Sequence, residues 1–284
     1  MDPRALSAHQ CVMIIVLNEN KIQVEENQSL FDLRDQIKPE ADVLICNGLP
    51  IQSDRTLQPF DHVILIRRGE IPSEAELEAF LVARHTPEVH EPLKQATIGI
   101  AGAGGLGSSI ATALVRAGIG RIIIADYDVV EPSNLNRQQF FIDQIGMNKV
   151  DALKDNLKRI NPFMTVDAQH RFLTTQNLTD LFAEVDILVE AVDCAETKAM
   201  ITGQWLRTYP NTPLVAGSGM AGYGPGNTIR TRRAMGQLYL CGDGTSEVDA
   251  GHGLMAPRVG IAAHHQANVV IRLLLGLDPV EEDS

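Results

Sequence analysis

Along the first quarter of the chain, apolar and polar residues alternate in short runs. Residues 13–17 carry a strand pattern, Glu19-Asn20 supplies turn chemistry, and residues 21–24 alternate as a second hairpin strand should. Ser29 stands before the apolar-periodic stretch 30–37 as a helix N-cap. Residues 43–46 and 62–67 read as further strands, with Asn47-Gly48 as a turn. Two strands, a helix and two strands predict a small β-grasp unit over residues 13–69. Residues 1–12 are polar and mixed and read as a disordered leader. Ser73 opens a helical pattern through Ala75, Leu77, Phe80 and Leu81, and Pro87 ends it, so residues 70–96 read as a helical linker.

Past the linker the period switches. Apolar runs at 97–101, 121–125, 166–171, 187–191 and 213–216 are separated by helical patterns at 104–118, 148–160, 175–182 and 195–209. Strands that alternate with helices predict an α/β domain over 97–284, with a Rossmann-like, mostly parallel sheet and helices on both faces. Residues 217–257 are glycine-rich and read as strands and loops, and residues 259–275 as a closing helix.

Composition narrows the function. Lys+Arg 24 against Asp+Glu 36 leaves a net charge of −12, which repels phosphate backbones and argues against nucleic acid as a partner. Aromatic residues are 5%, too few for base-stacking platforms. No apolar run reaches the ~18 residues of a membrane span, so neither membrane nor export is expected and the chain reads as cytoplasmic. Cys11, Cys46, Cys194 and Cys241 form no CxxC pair, so no zinc is expected. His264 and His265 are adjacent on a helix and face different ways, unlike a metal pair.

The strongest local signal is Gly102-Ala103-Gly104-Gly105-Leu106-Gly107, which follows an apolar strand and opens a helix. Gly102, Gly104, Gly105 and Gly107 would let the backbone turn tightly and let a phosphate reach the helix N-terminus. Asp126 ends the next strand, where a carboxylate binds ribose hydroxyls. These features fit NAD and ATP alike. The following loop separates them: Ser133-Asn134-Leu135-Asn136-Arg137-Gln138 offers amides and a guanidinium, which suit phosphate oxygens better than a dry nicotinamide slot. Lys149, at a helix start, adds a second cation. Asp193 follows an apolar strand at its carboxyl end, as a Mg2+ ligand or a helix cap.

Taken together, the GxGGLG run, Asp126-Tyr127-Asp128, the Ser133–Gln138 loop, Lys149 and Asp193 resemble the ThiF/MoeB/ubiquitin-activating-enzyme superfamily. So does Leu254-Met255-Ala256-Pro257-Arg258-Val259-Gly260 before the last helix. The resemblance implies that Mg-ATP adenylates the C-terminal glycine carboxylate of a β-grasp carrier. It implies that Gly105 faces the nucleotide, Asp126 holds the ribose, and Ser133, Asn134 and Asn136 line the ATP loop. Arg137 and Lys149 would bind phosphates and act catalytically with Asp193, the Mg2+ ligand, while Arg84 would reach into a partner subunit's site. A homodimer is implied. Relatives with zinc carry two CxxC pairs that are missing here, and Cys194 stands where an amide is common. Cys194 and Cys241 are the thiols to consider for sulfur transfer.

Residues 18–68 are similar to ThiS, the sulfur carrier of thiamine biosynthesis, which ends in Gly-Gly. Here Arg68-Gly69 continues into Glu70-Ile71-Pro72. The expected protein is therefore a ThiF-type sulfur carrier protein adenylyltransferase with a fused ThiS-like N-terminal domain. Its partners would be a separate ThiS-like carrier with a Gly-Gly terminus and a sulfur donor protein. A molybdopterin-type carrier, a peptide or a tRNA base is the alternative acceptor. A non-catalytic nucleotide-binding adaptor is the rival from another class.

Overall fold

A computed structural model describes residues 12–248 and 253–280. The chain divides into two compact units, Met1–Pro87 and Glu88–Ser284. Of the expected leader only Val12 is described, and it already pairs with Glu25 as the first residue of a strand.

The first unit is a mixed five-stranded sheet with one short helix against it. Strands β1 (Val12–Leu17) and β2 (Asn20–Glu25) form the hairpin, α1 (Leu30–Ile37) follows, and β3 (Val43–Cys46), β4 (Leu49–Pro50) and β5 (His62–Ile66) complete the sheet in the order β2-β1-β5-β3-β4. Alternation does the work: Met13, Ile15 and Leu17 of β1 and Val63 and Leu65 of β5 point inward onto Leu30 and Leu33 of α1. Ser29 caps α1 by accepting from Asp32 N at 3.1 Å. Helix α2 (Glu74–His85) starts with a reciprocal capping box between Ser73 and Glu76.

Pro87 ends α2, as its ring requires, but it also opens α3 (Pro87–Gln95), so the stretch read as one linker is two helices. Thr86 makes the break at φ 69°. Proline is at home in a first turn, where its missing N–H has no intrahelical partner to lose.

The second unit is a seven-stranded sheet in the order β11-β12-β10-β9-β6-β7-β8. Its strands are β6 (Thr97–Ala101), β7 (Arg121–Asp126), β8 (Thr165–His170), β9 (Ile187–Glu190), β10 (Leu214–Gly217), β11 (Arg230–Met235) and β12 (Leu238–Gly242). All neighbours are parallel except the β11–β12 pair. Helices α4 (Gly105–Arg116), α5 (Lys149–Ile160) and α8 (Ala256–Leu274) cover one face, packing on Ile98, Ile100, Ile122 and Ile124. The other face packs the single turn α6 (Leu178–Leu181) and α7 (Ala195–Thr208) on Ala101, Ile123 and Leu188, around Phe182 and Trp205. The helical pattern over 175–182 shortens to that one turn because Asn177 spends its amide locally. It accepts from Thr174 N at 2.8 Å and donates to Phe172 O at 2.9 Å.

Strand β6 is central, with β7 on one side and β9 on the other, so chain order reverses there. Open α/β sheets bind ligands at this switch point, beyond the carboxyl ends of the strands. No helix among the described residues is long and apolar enough to cross a membrane.

Candidate functional site

At the switch point a cavity of about 670 Å³ opens, within the size range of small-molecule sites. The turn after β6 forms its floor. Gly102 sits at φ +104°, and a Cβ there would fall 2.7 Å from Ala191 O. A Cβ on Gly107 would fall 1.8 Å from Gly102 O, so helix and strand meet at a distance only glycine permits. Gly104 is the N-cap of α4 and supplies no side-chain cap. The first-turn N–H groups of this helix therefore open on the cavity without a side-chain acceptor.

Two more helices start at the same place in the same condition. Lys149, the first residue of α5, and Ala195, the first residue of α7, both line the cavity, and neither helix has a side-chain cap bond. The cap position of α7 belongs to Cys194, so Asp193 is not its cap.

Of the residues singled out by sequence, the cavity wall contains Gly102, Gly104, Gly105, Asp126, Arg137, Lys149 and Asp193. Asp126 accepts from Ala103 N at 2.6 Å and from Asp128 N at 2.8 Å, which ties the end of β7 to the glycine turn. Lys149 is nearly enclosed and donates to Asp128 Oδ2 at 2.7 Å. Arg137 donates to Asn136 Oδ1 at 2.9 Å and to Ser133 O at 3.3 Å. Asp193 is exposed and makes no hydrogen bond to a described residue.

Ser133, Asn134 and Asn136 do not reach the wall of this cavity; their side chains hold the loop together. Asn134 Oδ1 accepts from Glu131 N at 3.0 Å, Asn136 Nδ2 donates to Leu254 O at 3.1 Å, and Ser133 Oγ donates to Glu131 at 3.3 Å. Gly107 lies beneath the floor. Arg84 is on α2 in the first unit, exposed, 3.7 Å from Glu19.

Sequence reasoning missed a second lysine. Lys198 of α7 lines the cavity and donates to Gly217 O at 2.9 Å and to Glu190, whose side chain is fully buried at the end of β9. Glu190 also accepts from Val192 N at 2.8 Å, which fixes the turn that leads to Asp193. Burial pushes the Glu190 carboxyl above its ordinary range, against the pull of Lys198. The available signal was an acid closing an apolar strand with a lysine eight residues on.

Chemically the cavity wall offers two kinds of surface. Ala125, Phe172, Leu173 and Val192 offer an apolar surface suited to a flat ring, and Phe172 packs edge-on against Tyr127 at 4.9 Å. Gly104, Arg137, Lys149 and Lys198 offer N–H donors and cations suited to phosphates. Asp193, also on the wall, is the kind of single carboxylate that holds Mg2+ together with substrate phosphates. The donor set thus fits a nucleotide triphosphate with its metal. The described residues contain no group of three or more His, Cys, Asp or Glu side chains able to hold a metal ion by themselves. Cys241 is buried in β12, and burial pushes its thiol up to about 11, whereas Cys194 is exposed on the cavity wall.

Residues 13–69 match a ThiS-like ubiquitin family, and residues 79–283 match the ThiF family. The molybdopterin-synthase adenylyltransferase of Escherichia coli K12 is 31% identical over 193 residues, which cover 66% of this chain and 76% of that protein. The adenylyltransferase and sulfurtransferase MOCS3 of Culex quinquefasciatus is 32% identical over 203 residues, 66% of this chain but 44% of its own length. The chain thus spans less than half of that relative. The E. coli tRNA N6-threonylcarbamoyladenosine dehydratase TcdA in complex with ATP superposes with a TM-score of 0.65 at 20% identity, covering 73% of this chain and 98% of its own, a likeness of fold. The glycine turn at the switch point, the cavity above it and the family match over most of the chain agree: this protein belongs to the ThiF family and carries a ThiS-like β-grasp domain at its N-terminal side.

Proposed function

We propose that this chain is an ATP-dependent adenylyltransferase that activates the C-terminal glycine carboxylate of a separate β-grasp sulfur carrier, ThiS-like in type. The observation that carries the reading is the cavity wall, where uncapped helix starts and four cationic side chains, Arg137, Lys149, Arg171 and Lys198, line one cavity. In this reading a carboxylate oxygen of the carrier bonds to the α-phosphorus of ATP, the bond to the β-phosphate oxygen breaks, and pyrophosphate leaves. The nucleophile is already ionised, so no side-chain base is required. Gly104, Gly105 and the first turn of α4 hold phosphate oxygens, Asp126 orients the ribose, and Arg137 and Lys149 offset the charge that grows on the leaving group. Asp193 would hold Mg2+, which supplies further neutralisation of the phosphates when bound. A sulfur donor would then convert the acyl adenylate to a thiocarboxylate. A homodimer in the cytoplasm is part of this proposal.

The fused β-grasp domain is not the acceptor in this reading. Gly69 is joined by an amide to Glu70, which is itself paired with Lys38 at 2.6 Å, so the domain offers no terminal carboxylate there. A second acceptor is favoured by a specific observation, the 31% identity to a molybdopterin-synthase adenylyltransferase. Carrier-dependent ATP–pyrophosphate exchange tests both. A purified Gly-Gly carrier of the ThiS type is expected to support exchange more strongly than one of the molybdopterin type. Asp193→Ala is expected to lower exchange by about 10²-fold or more with an unchanged melting temperature. Nucleotide binding without exchange on any carrier would replace the enzyme with a nucleotide-binding adaptor.

A further inference from the structure

Arg258, in the first turn of α8, is 5% exposed. Arginine is seldom so enclosed unless its donors are paired, and here all five N–H groups are. Nε donates to Ala221 O at 3.1 Å, Nη1 to Gly224 O at 2.9 Å and Pro225 O at 3.0 Å, and Nη2 to Thr228 Oγ1 at 3.1 Å and Asp243 Oδ2 at 2.6 Å. Asp243 extends this grip. Its Oδ1 accepts from Thr245 N and Ser246 N, each at 2.8 Å, and Ser246 Oγ accepts from Ala221 N at 3.0 Å. Backbone bonds from Asp243 N to Gly219 O and from Gly244 N to Ser218 O, both 2.9 Å, stitch the two segments to each other. The guanidinium thus fixes residues 218–228, after β10, and 243–248, after β12, to the start of α8.

These segments supply a part of the cavity wall that the nucleotide reading leaves unassigned. Gly104, Asp126, Arg137, Lys149 and Asp193 end or follow β6, β7 and β9, whereas Gly219, Ala221 and Ser246 follow β10 and β12, on the other side of β9. A nucleotide lying along the first set leaves the second set for another reactant. A second cavity of about 670 Å³ adjoins this end of the first. Ala221 and Ser246 line both, Arg258 and Asp243 form part of the new wall, and its Tyr223 and Arg230 are exposed. Buried ion pairs add little net stability over well-packed apolar side chains, so what this one secures is geometry.

We propose that Arg258 is a positioning residue for the acceptor, holding the β10–β12 end of the cavity in the shape that admits the extended glycine terminus of the carrier. The proposal rests on the adenylyltransferase reading and adds the acceptor side of that site. Every donor of Arg258 is already taken, so it acts through Ala221 and Ser246 rather than by touching a reactant. Lysine is no substitute, because a single ammonium lacks the planar fork that reaches carbonyls on one segment and a carboxylate on the other.

ATP–pyrophosphate exchange by the full chain tests it, with whichever purified Gly-Gly carrier, of the ThiS or the molybdopterin type, supports the stronger exchange. The variants are Arg258→Lys and Asp243→Asn, the second of which keeps an oxygen for the Thr245 and Ser246 N–H groups but gives up the charge. Arg258→Lys is expected to raise the KM for the carrier about tenfold, with the rate at saturating carrier and the Mg-ATP dissociation constant from calorimetry unchanged. Asp243→Asn should shift KM the same way by about threefold. A carrier KM at the wild-type value in both variants overturns the proposal. So does a KM rise matched by an equal loss of Mg-ATP affinity, which would give Arg258 to the nucleotide side. A fall in the saturating rate at unchanged KM also overturns it, in favour of general support of the fold. If Arg258→Lys does not fold, Asp243→Asn decides by the same criteria. If the wild-type chain shows no exchange with either carrier, the adenylyltransferase reading falls together with this one; wild-type exchange that the variants do not alter removes only the role of Arg258.

Discussion

The two units start their helices in opposite ways. In the β-grasp unit, α1 and α2 begin with serines whose hydroxyls accept first-turn N–H groups, and α2 closes a full capping box. In the ThiF unit, α4, α5 and α7 begin at Gly104, Asn148 and Cys194, none of which forms a side-chain cap bond, and all three open on one cavity. A cap contributes about 1 kcal/mol, so three missing caps forgo a measurable stability. The small unit satisfies its own backbone; the large unit leaves donors for something to bind.

The contrast can be broken most forcefully where the large unit holds its cavity wall in place. Lys198→Met leaves the buried Glu190 without its counter-charge and is expected to destabilise the fold by about 3 kcal/mol. Burial already raises the Glu190 pKa, and removing Lys198 takes away the charge that opposes that rise. The stability of such a group is retained at low pH and lost as pH rises through the folded value. The variant should accordingly be closer to wild type near pH 5 than at pH 8, as measured by urea denaturation at both values. Equal loss at both would show that Lys198 acts by packing alone.

Next in size is a transplant of the small unit's device into the large one. Gly104 has φ −75° and ψ −150°, which serine adopts readily, and no atom obstructs a Cβ there. Gly104→Ser is expected to stabilise the nucleotide-free protein by a few tenths of a kcal/mol and to weaken ATP about tenfold, because the hydroxyl takes the N–H group the anion would use. Tighter ATP binding in this variant would contradict the role given to the uncapped start. In the reverse direction, Ser73→Ala should cost about 1 kcal/mol in the unfolding of the first unit with no change in ATP affinity. The smallest effect concerns thiols. Brief maleimide treatment at pH 7.5 should label Cys194 before Cys241 or Cys46, with Mg-ATP slowing it, since the other two are buried. Mass spectrometry of the peptides gives the order.

Local signals carried most of this contrast into the sequence. Ser29 before an apolar-periodic run and Ser73 three residues before Glu76 are short-range patterns, and both serines are caps in the structure. The glycine run, Asp126 and Asp193 were legible because each ends or follows an apolar strand. The loop was harder. Ser133, Asn134 and Asn136 have the right chemistry for phosphate, yet their bonds close the loop on Glu131 and Leu254, which only the folded chain decides. Gln138, one position after Arg137, differs from them by lining the cavity, with its Oε1 enclosed and unpaired. The Glu190–Lys198 pair was hidden for a related reason, since it joins the end of β9 to α7 and β10 across a turn of irregular backbone.

The convergence of three helix starts has a kinetic consequence for a chain that carries a net charge of −12. At distances beyond a Debye length, about 8 Å at physiological ionic strength, an incoming polyanion meets the repulsion of the whole acidic surface. Only within the last few ångströms do the helix dipoles and the cavity cations reverse the sign, since such fields fade within a turn of the helix end. Capture and retention then answer to different charges. Added salt lowers the long-range barrier and speeds arrival, while the enclosed donors that govern departure are screened far less. In this molecule the rate of loading and the lifetime of the loaded state can respond to ionic strength independently.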